Sequence, residues 1–153
     1  MAVITTKSLF KTYEGVVPVH ALKGVDLVIE EGEFTAIVGP SGSGKTTLLN
    51  IIGGLDRPSE GSIKVADIEL GQMSENQLID FRLKNIGFVF QSYNLIPVLT
   101  ARENTEFIML LQKKSKEERD ARVKALLTEV GLEDKIEKQP MELSGSQQQK
   151  EAL

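Results

Sequence analysis

The chain has 153 residues, 41% of them hydrophobic and 26% charged, with a formal net charge of −4, the profile of a soluble globular domain rather than of a disordered or fibrous chain. The acidic balance and the lack of a basic stripe argue against nucleic acid as a partner. Zero cysteines exclude disulfides and thiolate metal sites and suit a reducing cytoplasm. No apolar stretch reaches signal-peptide or membrane-span length, so no direct membrane insertion is expected and any membrane role requires a partner.

In chain order, residues 3–12 read as a first strand and 19–30 as a second, with Val25, Leu27 and Ile29 alternating against Asp26 and Glu30. Glu31-Gly32-Glu33 turns the chain into the apolar run Phe34-Thr35-Ala36-Ile37-Val38, predicted as a buried strand. Gly39-Pro40-Ser41-Gly42-Ser43-Gly44-Lys45-Thr46 follows, a complete phosphate-binding P-loop that opens the helix signal Thr47-Leu48-Leu49-Asn50-Ile51-Ile52. Its three glycines let the backbone curl so that N–H groups point inward at phosphate oxygens. The helix beginning there adds the positive end of its dipole. Lys45 is placed to reach the β- and γ-phosphates and the Thr46 hydroxyl to join Mg2+, with Thr47 in the same first turn. A Gly/Ser-rich turn with a chance lysine would explain fewer of these features.

Gly53-Gly54 is read as the end of that helix, Arg57-Pro58-Ser59-Glu60-Gly61 as a turn, and 62–68 as a strand. Ser74 with Gln77 forms a capping box before a helix over 75–84. Ile86-Gly87-Phe88-Val89-Phe90 is predicted as a second buried strand, followed by Gln91 and a loop containing Pro97. Beyond it only helices are expected. Thr100 with Glu103 opens one to about 112, and Ser115 with Glu118 opens another to 130, closed by Gly131. Val123, Leu126, Leu127 and Val130 make one apolar stripe, read as packing rather than a groove. Ser144 with Gln147 caps a final helix after Leu143.

Taken together, the P-loop, Leu143-Ser144-Gly145-Ser146-Gln147, Tyr13 and Gln91 closely resemble the nucleotide-binding subunit of ABC transporters. Asn85 to Gln91 with Asn94-Leu95-Ile96-Pro97, and Leu48 to Asp56, look like the lipoprotein-release and macrolide-export branch. The resemblance implies an α/β P-loop NTPase (ABC ATPase) fold, here incomplete: N-terminal antiparallel strands, part of the RecA-like core, and an α-helical subdomain. It divides 1–153 into a strand-rich subdomain with the P-loop core, 1–91, and a helical subdomain with the signature, 92–153. It implies ATP and Mg2+ as cofactors, an integral-membrane permease, and a homodimer or a related ATP-binding subunit as partners. Such a subunit lies in the cytoplasm, peripheral to the membrane through the permease.

By the same resemblance Tyr13 stacks on adenine, Gln91 touches Mg2+ and the attacking water, and Ser144, Gly145, Ser146 and Gln147 contact ATP held by the opposite subunit. Each has a plainer reading: a strand-edge aromatic, a strand-terminal polar residue, a capped helix start. His20 matches nothing catalytic and reads as a surface residue.

Three departures accompany the resemblance. The family continues into an apolar strand ending in Asp-Glu, a loop with a second Asp, and a strand ending in His; these have no counterpart in 1–153. The catalytic Glu and the switch His are therefore not among these residues. The signature's second glycine is Ser146, and Glu151 falls where the family's helix is apolar. The expectation is an exporter ATPase subunit truncated at its C-terminal side, with a non-hydrolysing ATP-binding fragment or an inert one as the alternative. A small kinase or GTPase would fit the P-loop but not residues 143–147.

Overall fold

The computed structural model describes residues 1–90 and 92–153; the expectation for Gln91 lies outside the described residues. The chain divides into two compact units, Met1–Ile86 and Gly87–Leu153.

The first unit is built on an antiparallel sheet. Strand β1 (Ala2–Tyr13) lies between β2 (Val19–Glu30) and β3 (Glu60–Val65), with the short β4 (Ile68–Glu69) at the far edge. Register runs from Ile4 opposite Ile29 to Tyr13 opposite Val19, with shifts at Thr6/Leu9, Leu9/Phe10 and Lys11/Thr12. Helices α1 (Lys45–Ile52) and α2 (Glu75–Asn85) belong to the same unit. Leu9, Leu22, Leu48, Ile51, Ile63 and Phe81 are among the buried residues joining sheet and helices in one core. Each such side chain stabilises the unit by about 1.5–3 kcal/mol.

The end of α1 is set by its two glycines. Gly54 takes φ 66°, its N–H donates to the Ile51 carbonyl at 3.0 Å, and Leu55 N–H donates to the Asn50 carbonyl at 2.8 Å. This is a Schellman cap, which a Cβ at Gly54 would strain.

Three expectations are corrected here. The run 34–38 forms no strand: Phe34 is 99% and Val38 86% exposed, and only Ile37 packs against the core. Residues 86–90 form none either, although Phe88 and Phe90 stack at 5.8 Å. Apolar extended runs become strands only beside ladder partners, and the sheet among the described residues offers none to these two. The strand expected over 62–68 is instead a hairpin, β3 to β4, turned through Ala66 (φ 48°) and Asp67 (φ 63°). Two consecutive left-handed residues make a type I′ turn.

The second unit is helical, as its sequence predicts: α3 (Ala101–Leu111), α4 (Lys116–Glu129) and α5 (Gly145–Glu151), each opened by its capping box. Val123 and Leu127 of the predicted stripe are buried with Ala101 and Leu132, and Val130 packs against them. Arg119 of α4 pairs with Glu106 of α3 at 2.9 Å, and Arg102 of α3 reaches Asp120 at 2.8 Å and Glu137 at 3.1 Å. Backbone carbonyls of Lys138 and Ile136 accept the first N–H groups of α3.

A candidate nucleotide site

Residues 39–46 leave the exposed run 34–38 and lead into α1. Gly44 is the N-cap of α1 with φ 89°, a conformation costly to any residue with a Cβ. A Cβ there would also lie 2.5 Å from the Ala21 carbonyl oxygen, so glycine is what lets the helix start against β2. Where α2 to α5 each begin with a side chain accepting from the N3 amide, α1 has no side-chain cap. Its first-turn amides, those of Lys45, Thr46 and Thr47, thus begin the helix with no capping side chain and no acidic residue beside them. That is a concentration of N–H donors at the positive end of a helix, suited to an anion.

Lys45 folds its Nζ back over the loop, donating to the carbonyls of Gly39 at 2.9 Å and Pro40 at 2.7 Å, with Ser43 Oγ at 3.4 Å. Ser41, Gly42 and Ser43 are exposed, as is Thr46. Behind the loop a cavity of about 260 Å3 is lined by Leu22, Val25, Ile37, Val38 and Leu48 together with loop residues. Its apolar back wall belongs to packing, so the phosphate-ready surface is the exposed mouth of the loop.

Tyr13 does not line that cavity. What relates it to the loop is sheet register: Tyr13 stands opposite Val19 and Lys11 opposite Leu22, while Gly44 abuts Ala21 on the same stretch of β2. Tyr13 is 40% exposed; its hydroxyl donates to Asp56 Oδ2 at 2.8 Å and Lys11 Nζ lies 4.8 Å from the ring centroid. Asp56 Oδ1 also accepts from Lys11 Nζ at 2.5 Å and from the Arg57 amide at 2.7 Å. Burial pushes the Asp56 carboxyl up, but the hydrogen bonds from Lys11, Tyr13 and Arg57 outweigh it and hold the pKa below the ordinary value. Sequence reasoning gave Lys11 and Asp56 no role. Their only signals were the Lys11/Tyr13 alternation, which puts both side chains on one face of β1, and the position of Asp56 after the Gly53-Gly54 cap.

Glu33 is the turn residue its sequence predicts: it accepts from Glu30 N–H at 2.8 Å and from Thr35 Oγ1 at 2.7 Å. His20 is exposed, its Nδ1 3.0 Å from Thr12 Oγ1.

In the second unit, Ser144 Oγ accepts from Gln147 N–H at 3.3 Å and Gln147 Oε1 from Ser144 N–H at 2.8 Å, with Gly145 in open space. Ser146 is exposed, its Oγ 3.2 Å from Ser144 Oγ. A profile of the family described as ABC transporter matches residues 22–153. The chain belongs to the ABC transporter family.

Similarity to individual ABC proteins is extensive. An ABC transporter ATP-binding protein of Thermotoga maritima is 48% identical over 146 residues, which cover 95% of this chain and 62% of that protein. The macrolide export ATP-binding/permease protein MacB of Mannheimia succiniciproducens is 45% identical over 154 aligned positions, which cover all of this chain and 24% of that protein. A dimeric structure of a post-hydrolysis state of the ATP-binding cassette MJ0796, from Methanocaldococcus jannaschii, bound to ADP and Pi, matches with a TM-score of 0.87 at 45% identity, covering 97% of this chain and 66% of that one. The chain thus spans about two thirds or less of the length of these relatives. Both the fold, an ABC ATPase cassette of the P-loop NTPase class, and the exporter branch read from the sequence agree with these likenesses. Among the described residues no helix is long and apolar enough to cross a membrane.

Proposed function

We propose that this chain is the nucleotide-binding part of the ATP-binding subunit of an ABC-type exporter. It couples ATP binding and hydrolysis to transport by an integral-membrane permease. The observation that carries the reading is the N-terminus of α1, where Gly44 replaces a capping side chain and Lys45 holds its amine over the loop. A triphosphate oxygen is a charged acceptor, so it competes well against the neutral carbonyls that Lys45 now contacts. Gly39, Pro40, Ser41, Gly42, Ser43 and Gly44 wrap the β-phosphate, Lys45 bridges to the γ-phosphate, and Thr46 and Thr47 cap the phosphates from the first turn. Mg2+ is an oxygen-seeking ion that keeps most of its waters, which fits a loop offering it the exposed Thr46 hydroxyl; the Gln91 contact that the resemblance implies lies outside the described residues. Tyr13 presents a ring face to adenine.

On this reading Ser144, Gly145, Ser146 and Gln147 face the γ-phosphate of a second copy or a related subunit; the dimeric form of the MJ0796 cassette supports that pairing. The subunit works at the cytoplasmic side of the membrane, held there by the permease, without nucleic acid and without inserting itself. Lys45→Ala weakens Mg-ATP binding about ten-fold or more, the scale of a lost charge-assisted contact. Calorimetric titration of both proteins tests this, and equal affinities overturn it.

A second reading, ATP binding without turnover, is favoured by one contact. Ser146 stands where the resemblance expects glycine, and its hydroxyl engages that of Ser144 at 3.2 Å. The added Cβ and the occupied hydroxyl both hinder close approach to a phosphate. Phosphate release by the 153-residue chain separates the two: Lys45-dependent release supports the coupled subunit, and release equal to that of Lys45→Ala supports binding alone.

A further inference from the structure

Tyr13 is held at both its edge and its face. Its hydroxyl is tied to Asp56 at 2.8 Å, and Lys11 Nζ sits 4.8 Å from the ring centroid. The same Lys11 amine bonds Asp56 Oδ1 at 2.5 Å and the Arg57 carbonyl at 2.7 Å, and its side chain is only 12% exposed. A ring fixed at its oxygen and covered on one side by a cation keeps one orientation and one free face. Asp56 is in turn placed by the end of α1, since the N–H groups of Leu55 and Asp56 both donate to the Asn50 carbonyl, at 2.8 and 3.2 Å. At the other end of α1, Gly44 abuts the Ala21 carbonyl of β2. One eight-residue helix therefore carries the P-loop at its start and the anchor of the Tyr13 ring just past its end.

We propose that Lys11 and Asp56 are positioning residues that hold the Tyr13 ring ready for a purine base, fixing the distance between base and phosphate contacts through α1. This rests on the reading of Tyr13 as the adenine contact. Stacking is worth most when the ring's freedom is lost before the ligand arrives. Lys11 and Asp56 need touch no part of the nucleotide. Their substitution acts on the base and not on the phosphates.

The test compares Mg-ATP with inorganic triphosphate, which has the phosphates and no base, by calorimetry on the full chain. Tyr13→Ala weakens ATP binding about ten-fold and leaves triphosphate unchanged. Asp56→Leu and Lys11→Met each weaken ATP about three- to ten-fold, again without effect on triphosphate. Tyr13→Phe removes one hydroxyl from an exposed site, so it keeps the fold, and it reproduces the Asp56→Leu loss. Parallel loss of both ligands in Asp56→Leu and in Tyr13→Phe overturns the proposal, because the cluster then supports the whole site. Unchanged or tighter ATP binding in these variants overturns it too, the latter marking the tether as a competitor of stacking. If Tyr13→Ala itself leaves ATP affinity intact, the base-contact reading falls and this inference with it. Loss in Tyr13→Ala with none in Asp56→Leu or Tyr13→Phe sinks the inference alone.

Discussion

Glu151 shows how one side chain sets a pH dependence. It lies near the end of α5, half-buried, yet both carboxylate oxygens are shut off from water without a hydrogen-bond partner among the described residues. Burial pushes its pKa from 4.5 up to about 6. The folded chain therefore binds the proton more tightly than the unfolded chain. Stability is unpenalised below the unfolded pKa of 4.5 and falls as pH rises through the folded value of about 6. Glu151→Gln removes the charge while keeping the shape. Its melting temperature should exceed that of the parent at about pH 8 and match it at about pH 4, a gain on the order of 1 kcal/mol after allowance for solvent screening. Equal melting at both pH values would sink this account. The sequence signal was the acid in an apolar position; its desolvation needed the structure.

Among the elements, those with local punctuation were legible and those defined by distant partners were not. Ser74, Thr100, Ser115 and Ser144 each pair with Gln or Glu three residues on, and each begins a helix at the next residue. The P-loop was readable for the same reason: its donors, its glycines and Lys45 lie within eight consecutive residues. The Tyr13–Asp56 bond closes over 43 residues and had no local mark. Nor did the hairpin between β3 and β4, because Ala66 is an unusual choice for a left-handed turn residue. Asn104 is another contact that spacing alone hid. Its Oδ1 accepts from Ile96 N–H at 2.8 Å, and its Nδ2 lies 3.2 Å from the carbonyls of Ile96, Leu99 and Thr100. One amide thus satisfies the loop that precedes α3. Asn104→Ala takes the partner from the Ile96 N–H and the Leu99 carbonyl, while the carbonyls of Ile96 and Thr100 keep the N–H groups of Leu99 and Asn104, and should cost about 1–3 kcal/mol in chemical denaturation. Hydrogen exchange at the Ile96 amide should lose protection first, and an unchanged rate there would refute the stapling role.

At the scale of the whole molecule, the unmet expectations share a cause. Residues 34–38 and 86–90 were read as buried strands because they are apolar, and apolarity reports a need for burial without naming the partner. The structure leaves that need open: Phe34 is 99% exposed and Val89 67%, on extended runs with no ladder partner among the described residues. Such backbone offers N–H and C=O groups and apolar side chains to any strand that can pair with it. The chain by itself, without nucleotide, should therefore self-associate, its mean mass by sedimentation or light scattering rising with concentration. Phe34→Lys combined with Val89→Lys places charges on both runs while touching no residue of the core clusters. That double variant should remain monomeric where the parent associates. A parent chain that stays monomeric at every concentration, or a variant that associates equally, would place the cause elsewhere than in these two runs.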